Sequence, residues 1–115
     1  MNNIVLIGRI TKDPELKYTN NGKGNTRFTL AVQRNKDETD FVNCVAWEKT
    51  AENIAEYFKK GSQIAVQGAI RTGNYEKDGR TVYTTDVWIY KFDFIGNNQN
   101  VKKNNENEDN EHFPF

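Results

Sequence analysis

Hydrophobic positions alternate along most of the chain with a period of two and switch once to a period near 3.6. Ile4 to Ile10 is a near-continuous apolar run bounded by polar residues, which predicts a strand buried on much of both faces. Lys12-Asp13-Pro14-Glu15 breaks it, because Pro14 cannot donate to a ladder, and Asn20-Asn21-Gly22 supplies turn chemistry further on. From Arg27 to Arg34, Phe28, Leu30 and Val32 alternate with Thr29, Ala31 and Gln33, the pattern of a half-buried second strand. The third strand, Phe41 to Glu48, carries hydrophobes on both sides. Val42, Cys44 and Ala46 form a small side suited to core packing, and Phe41, Asn43, Val45 and Trp47 form a side that reads as a platform.

Thr50 to Lys60 predicts the single helix. Thr50 stands as N-cap, Glu52 lies in the first turn, and Ala51, Ile54, Ala55 and Phe58 share one face. Lys59 and Lys60 suit the negative end of the helix dipole, and Gly61 stops it. Ile64, Val66, Gly68 and Ile70 alternate through a fourth strand. Lys77-Asp78-Gly79-Arg80 is a strong hairpin signal that joins Arg71–Glu76 to Thr81–Ile95. Three strands, one short helix between strands 3 and 4, and a long hairpin fit an all-β, five-stranded Greek-key barrel of the OB type. Trp88, Tyr90, Phe92 and Phe94 fall at period two on the last strand, a stripe suited to core or subunit contact.

Composition divides the chain in two. Residues 97–115 include seven Asn, the acids Glu106, Glu108, Asp109 and Glu111, and little apolar surface beyond Val101 before His112-Phe113-Pro114-Phe115. Such a segment buries too little to offset the cost of ordering it, so it reads as a disordered linker and acidic tail after a domain over 1–96. Asp109, Glu111, Phe113, Pro114 and Phe115 then form a peptide for another protein to grip, the alternative being a solubilising tail that happens to end in Phe. Residues 1–96 hold 14 of the 16 Lys and Arg and 12 of the 16 Asp and Glu, so charge alone argues only weakly for a polyanionic partner.

No stretch reaches the about 18 apolar residues that span a bilayer, and no signal-peptide pattern opens the chain, which predicts a cytoplasmic protein. Cys44 is the one cysteine and His112 the one histidine, which argues against an internal disulfide and a Cys/His zinc site. Neither a Ser/His/Asp set nor a Gly-rich phosphate loop is present. The sequence therefore predicts no enzyme, no cofactor and no metal.

Single-stranded nucleic acid requires flat rings for bases to stack on, interleaved with cations that follow the phosphates. Phe41, Trp47 and Tyr75 supply the candidate rings, with each of the first two also open to a core or subunit-interface reading. Candidate cations are Arg9, Lys12, Lys17, Arg34, Lys49, Arg71, Lys77 and Arg80. Lys49 follows the aromatic strand directly, and Arg71 and Lys77 flank Tyr75. An RNA-binding module, a protein-interaction adaptor and an OB-fold nuclease remain as rival readings of these residues.

Several stretches together resemble the bacterial and phage single-stranded-DNA-binding proteins. They are Val5-Leu6-Ile7-Gly8-Arg9 with Lys12-Asp13-Pro14-Glu15, Phe28-Thr29-Leu30-Ala31-Val32, Asp40 through Trp47, Ala51-Glu52-Asn53 with Lys60-Gly61-Ser62, and Arg71-Thr72 through Tyr75. The acidic end closing in Pro114-Phe115 is similar to that family's C-terminal interaction peptide. The resemblance implies a homotetramer of OB protomers that coats single-stranded DNA without sequence preference in replication, recombination and repair and recruits partner proteins through its tail. It carries stacking roles onto Phe41, Trp47 and Tyr75, and phosphate contacts onto Lys17, Lys49 and Arg71. The chain departs from the family pattern at Asn35-Lys36, at Gly73 and at His112-Phe113.

Overall fold

The computed structural model describes residues 1–95, and the expectations for the tail, Asp109, Glu111, Phe113, Pro114 and Phe115 included, lie outside them. The chain runs β1 (Ile4–Ile10), β2 (Lys17–Tyr18), β3 (Gly24–Gln33), β4 (Thr39–Trp47), α1 (Glu48–Tyr57), β5 (Gln63–Lys77) and β6 (Arg80–Phe94). One sheet takes the order β1-β5-β6-β4-β3-β2, and a further pairing of β1 with β3 ties its first strand back toward the other end. All pairs are antiparallel except β4 with β6. The architecture is thus mostly β with one short helix between β4 and β5. The described residues form six strands rather than five, because Lys17 and Tyr18 pair with Asn25 and Gly24 across the turn at Asn20-Asn21-Gly22.

The hairpin forms where Asp78-Gly79 predicts it. Asp78 and Gly79 take φ of 51° and 76°, and Lys77 pairs with Arg80, the two-residue geometry whose twist suits antiparallel arms. Both arms are 15 residues long, so the fourth strand and the hairpin arm are one continuous β5.

The helix is shifted toward the N-terminus of its expected span. It begins at Glu48 and ends at Tyr57, with Trp47 in the cap position and no side-chain cap; Thr50 lies inside its first turn. Glu48 takes φ of 53°, so the chain turns from β4 into α1 with no intervening loop. Lys59 and Lys60 fall beyond the last turn, because Phe58 leaves the helix with extended backbone and enters the core. Its ring stacks on Phe94 at 4.9 Å and meets Phe92 edge-on at 5.5 Å. Burying a side chain of that size contributes about 1.5–3 kcal/mol, more than one further helical hydrogen bond would. Lys60 then donates its backbone N–H to Asp13, and Lys59 donates to the Ser62 hydroxyl, closing the turn.

The core lies between the sheet and α1 and contains Ile10, Phe28, Leu30, Ile54, Phe58, Ile64, Val66 and Val87. Two expectations about faces need correction. β1 is not buried on both sides: Leu6 and Ile10 turn inward, whereas Val5 and Ile7 are 60% and 47% exposed. Their outward positions lie beside Gln67 and Ala65 of β5, and both side chains stay open to solvent among the described residues. The aromatic stripe on β6 does not share one face either. Gln67 pairs with Lys91 but Gly68 pairs with Ile89, leaving Tyr90 as an extra residue, a β-bulge. That extra residue exchanges the faces, so Phe92 and Phe94 pack on Phe58 inside while Trp88 lies outside against Trp47. No helix among the described residues is long and apolar enough to cross a membrane.

Candidate nucleic-acid interface

Alternation along four paired strands builds the outer face opposite the core. Even-numbered residues of β3 and β4 turn inward, so Arg27, Thr29 and Ala31 on β3 lie outward beside Val45, Asn43 and Phe41 on β4. β6 brings Trp88 next to Val45, and β5 adds Ala69 and Arg71 opposite Trp88 and Asp86. Val45 is fully enclosed beneath this outer layer. Trp47 lies six positions beyond Phe41, so their Cα atoms stand about 20 Å apart along the strand.

Phe41 is 67% exposed and Tyr75 51%, both free enough to offer a ring face to a ligand. Trp47 is half-buried and lies beside Trp88, with ring centroids 5.5 Å apart and planes tilted by 44°. Its indole N–H is enclosed without a hydrogen-bond partner among the described residues, a deficit of about 1–3 kcal/mol that a phenylalanine at this position would avoid. The guanidinium of Arg71 sits 4.1 Å above the Trp88 ring. A cation held over a ring loses less freedom when it meets an anion, so Arg71 is held in a position from which it can meet one. Trp88 is the residue that sequence reading missed for this face. Period two assigned it to the stripe with Phe92 and Phe94, and only the Tyr90 bulge separates them.

The candidate cations fall into distinct settings. Lys12 lines a cleft with Tyr75, and Lys77 is exposed two residues beyond Tyr75, at the end of β5. Lys49 is exposed two residues after Trp47, and Lys17 pairs with Asn25, itself opposite Trp47. Arg80 is exposed at the hairpin turn. These side chains leave their charge available to solvent or an anion.

Arg34 and Arg9 are engaged elsewhere. Arg34 donates through Nε and Nη2 to Asp40, at 2.7 Å for the shorter contact, and through Nη1 to Glu38 at 3.2 Å. The hydrogen bonds and charge of Asp40 hold the guanidinium pKa above its ordinary value, and Arg34 holds the Asp40 carboxyl below the usual carboxylate range. Two acids on one cation leave little positive field for a phosphate. Arg9 donates to the Gly61 carbonyl at 2.9 Å and ties β1 to the turn after α1.

Between the β3–β4 face and the hairpin lies a cleft of about 590 Å³ whose lining includes Lys12, Arg27, Asn43, Tyr75 and Asp86. Cys44 also borders it, with its thiol buried. Burial first, and the charge of Asp86 second, push that thiol up to about 12, so it stays protonated and unreactive at neutral pH. Among the described residues no group of three or more His, Cys, Asp and Glu is placed to hold a metal ion.

Residues 1–95 match the model of the Single-strand binding protein family. A protein named Single-stranded DNA-binding protein from Clostridium perfringens is 58% identical over 99 residues, covering 83% of this chain and 66% of that protein. The protein of the same name from Bacillus cereus is 49% identical over 102 residues, covering 83% of this chain and 60% of its own length. Single-stranded DNA-binding protein 1 from Streptococcus pyogenes is 46% identical over 108 residues, covering 88% and 83%. The matched region spans just under two thirds of the first of these relatives and less of the second. With a match over all of its described residues, and with relatives about half identical or more, this chain belongs to the Single-strand binding protein family.

Proposed function

We propose that this protein binds single-stranded DNA with little sequence preference and coats it during replication, recombination and repair. The observation that carries the reading is the outward group of Trp47, Trp88 and Arg71, continued along the sheet by Phe41 and across the cleft by Tyr75. Each stacked base contributes about 1–3 kcal/mol, so a few rings suffice where the net charge of residues 1–96 is small. Every base offers a π-face, which is why such a surface tolerates sequence. Lys12, Lys17, Lys49, Arg71 and Lys77 take the phosphates in this reading, and Arg34 joins them only when its acids release it. The activity is binding without chemistry, in keeping with the relatives' names.

The sheet, tied back on itself through β1 and β3, is read as an OB barrel over residues 1–96. A cytoplasmic homotetramer is the proposed assembly. Its support is the outward pair Val5 and Ile7 with Tyr90 on the neighbouring sheet surface, an apolar area that a second copy would cover. The acidic segment ending in Pro114-Phe115 is the proposed recruiting peptide for DNA-processing partners.

Titration with single-stranded DNA, duplex DNA and RNA at two salt concentrations, with mass measured in the same samples, tests the reading. Single-stranded DNA should bind most tightly, weaken as salt rises, and quench tryptophan emission from the Trp47–Trp88 pair. Duplex binding of equal strength, or binding with no change in emission, contradicts it.

A further inference from the structure

Arg27 stands on the outer face beside the ring cluster and outside the set of cations placed above. It points outward from β3 next to Val45, and Val45 in turn neighbours Trp88 on β6. Its side chain is 64% exposed and meets Asp86 through Nη1 at 3.8 Å, too long for a hydrogen bond. None of its five guanidinium N–H groups is hydrogen-bonded to another described residue. Arg34 differs on this point, since it meets two carboxylates at 2.7 and 3.2 Å. A guanidinium keeps its charge at every physiological pH and presents its donors as a planar fork that matches a phosphate.

Its position sets Arg27 apart from the lysines. β4 lies between β3 and β6, so Arg27 reaches toward Asp86 only by crossing β4, a span of two strand spacings or about 10 Å. The charge is thereby carried over the outer face on the β3 side of the Trp47–Trp88 pair, while Arg71 stands on the β5 side above Trp88. The two arginines bracket the rings. Asp86 is directly opposite Arg71 in the ladder, yet Arg71 lies over the indole, and the ion pair of Asp86 among the described residues is with Arg27. That pair engages Nη1 alone and loosely, which leaves the edge formed by Nε and Nη2 open.

We propose that Arg27 is a further phosphate contact of the DNA face, the partner of Arg71 on the opposite flank of the Trp47–Trp88 pair. The inference rests on the DNA-binding reading above and adds a residue to it. A nucleotide stacked on the ring pair has a phosphate on either side along its strand, and a cation on each flank of the rings suits that arrangement. Two parallel N–H groups from one edge of the fork can grip a phosphate at hydrogen-bond distance, a closer contact than the 3.8 Å to Asp86. The contact is to the backbone, so it carries no sequence information. A rival role for Arg27 is that of a counter-ion, there only to cancel the Asp86 charge beneath a polyanion.

The test uses the full chain and oligo-thymidylate, with affinity measured across a salt series for the wild type, Arg27→Gln, Asp86→Asn and the double variant. Each phosphate neutralised on a single strand contributes about −0.7 to the slope of log affinity against log salt, so Arg27→Gln should be shallower than wild type by about 0.7 for every protomer the strand occupies. The same difference should separate the double variant from Asp86→Asn. A counter-ion role gives another result: with the carboxylate already gone, loss of Arg27 leaves the slope where it was. Arg27→Lys keeps the charge and should keep the wild-type slope while binding more weakly, because an ammonium lacks the fork. A wild-type slope for Arg27→Gln, equal slopes for Asp86→Asn and the double variant, or a slope for Arg27→Lys as shallow as that of Arg27→Gln overturns the contact while leaving DNA binding intact. Failure of the wild type to bind the strand at low salt overturns the DNA-binding reading and the role of Arg27 with it.

Discussion

Replacing Arg71 separates the two things its guanidinium does. It lies 4.1 Å above the Trp88 ring, an exposed cation–π contact of about 0.5–1 kcal/mol, and it presents a charge on the proposed DNA face. Arg71→Gln removes both. For a single strand, each neutralised phosphate contributes about −0.7 to the slope of log affinity against log salt, so the Gln variant should show a slope shallower by about 0.7. Between about 50 and 200 mM salt, that slope change shrinks the wild-type advantage by about 2.6-fold. Arg71→Lys keeps the charge and loses the planar fork over the indole. Its slope should match wild type, with affinity lower by about two- to fivefold at every salt concentration, the equivalent of the lost ring contact. Fluorescence titration across a salt series measures both quantities. A Gln variant with the wild-type slope would show that Arg71 neutralises no phosphate, and the interface drawn around Trp88 would have to be abandoned.

Gly68→Ala tests the bulge: an added Cβ would lie 2.1 Å from the Trp88 carbonyl oxygen and 2.8 Å from its carbon, both backbone atoms. Overpacking of this kind costs about 1–3 kcal/mol, or roughly 4–8 °C of melting temperature per kcal/mol, whereas Gly73→Ala, which meets only the Thr84 hydroxyl at 3.3 Å, should melt much closer to wild type. Asp40→Asn should free Arg34 and raise affinity for single-stranded DNA at neutral pH, measured by the same titration. The pH sign agrees: the Asp40 carboxyl is held below its ordinary value of 3.8, so the bridge is fully present above that value and is lost as pH falls through the lower folded-state pKa.

Much of the fold was legible because its signals are local. Asp78-Gly79 needs no distant partner to form its turn, and the alternation of Phe28, Leu30 and Val32 fixes which side of β3 is inner. What failed depended on pairing or on packing. Nothing near Tyr90 in sequence marks it as an extra residue, since a bulge belongs to two strands at once, and so Trp88 was assigned to the wrong company. Phe58 leaves its helix for rings more than 30 residues away, which helix periodicity cannot register. Val5 and Ile7 read as core because an apolar run looks alike whether its outer face meets protein or solvent. On the candidate face, Phe41 and Tyr75 are exposed, which leaves their rings open. The capture of Arg34 by Asp40 stayed hidden because the two residues meet only once the β3–β4 strands pair.

The unpaired position at Tyr90 lets a single strand serve two surfaces in succession. Before it, every second side chain faces outward where a ligand could lie; after it, the same parity faces the interior and holds the helix end in place. Loss of that one residue would leave the rest of β6 with a choice: Phe92 and Phe94 facing water, or Trp88 drawn away from Arg71. Packing of the core and the layout of the proposed binding face are therefore coupled through a residue that contributes to neither the core nor the ring cluster.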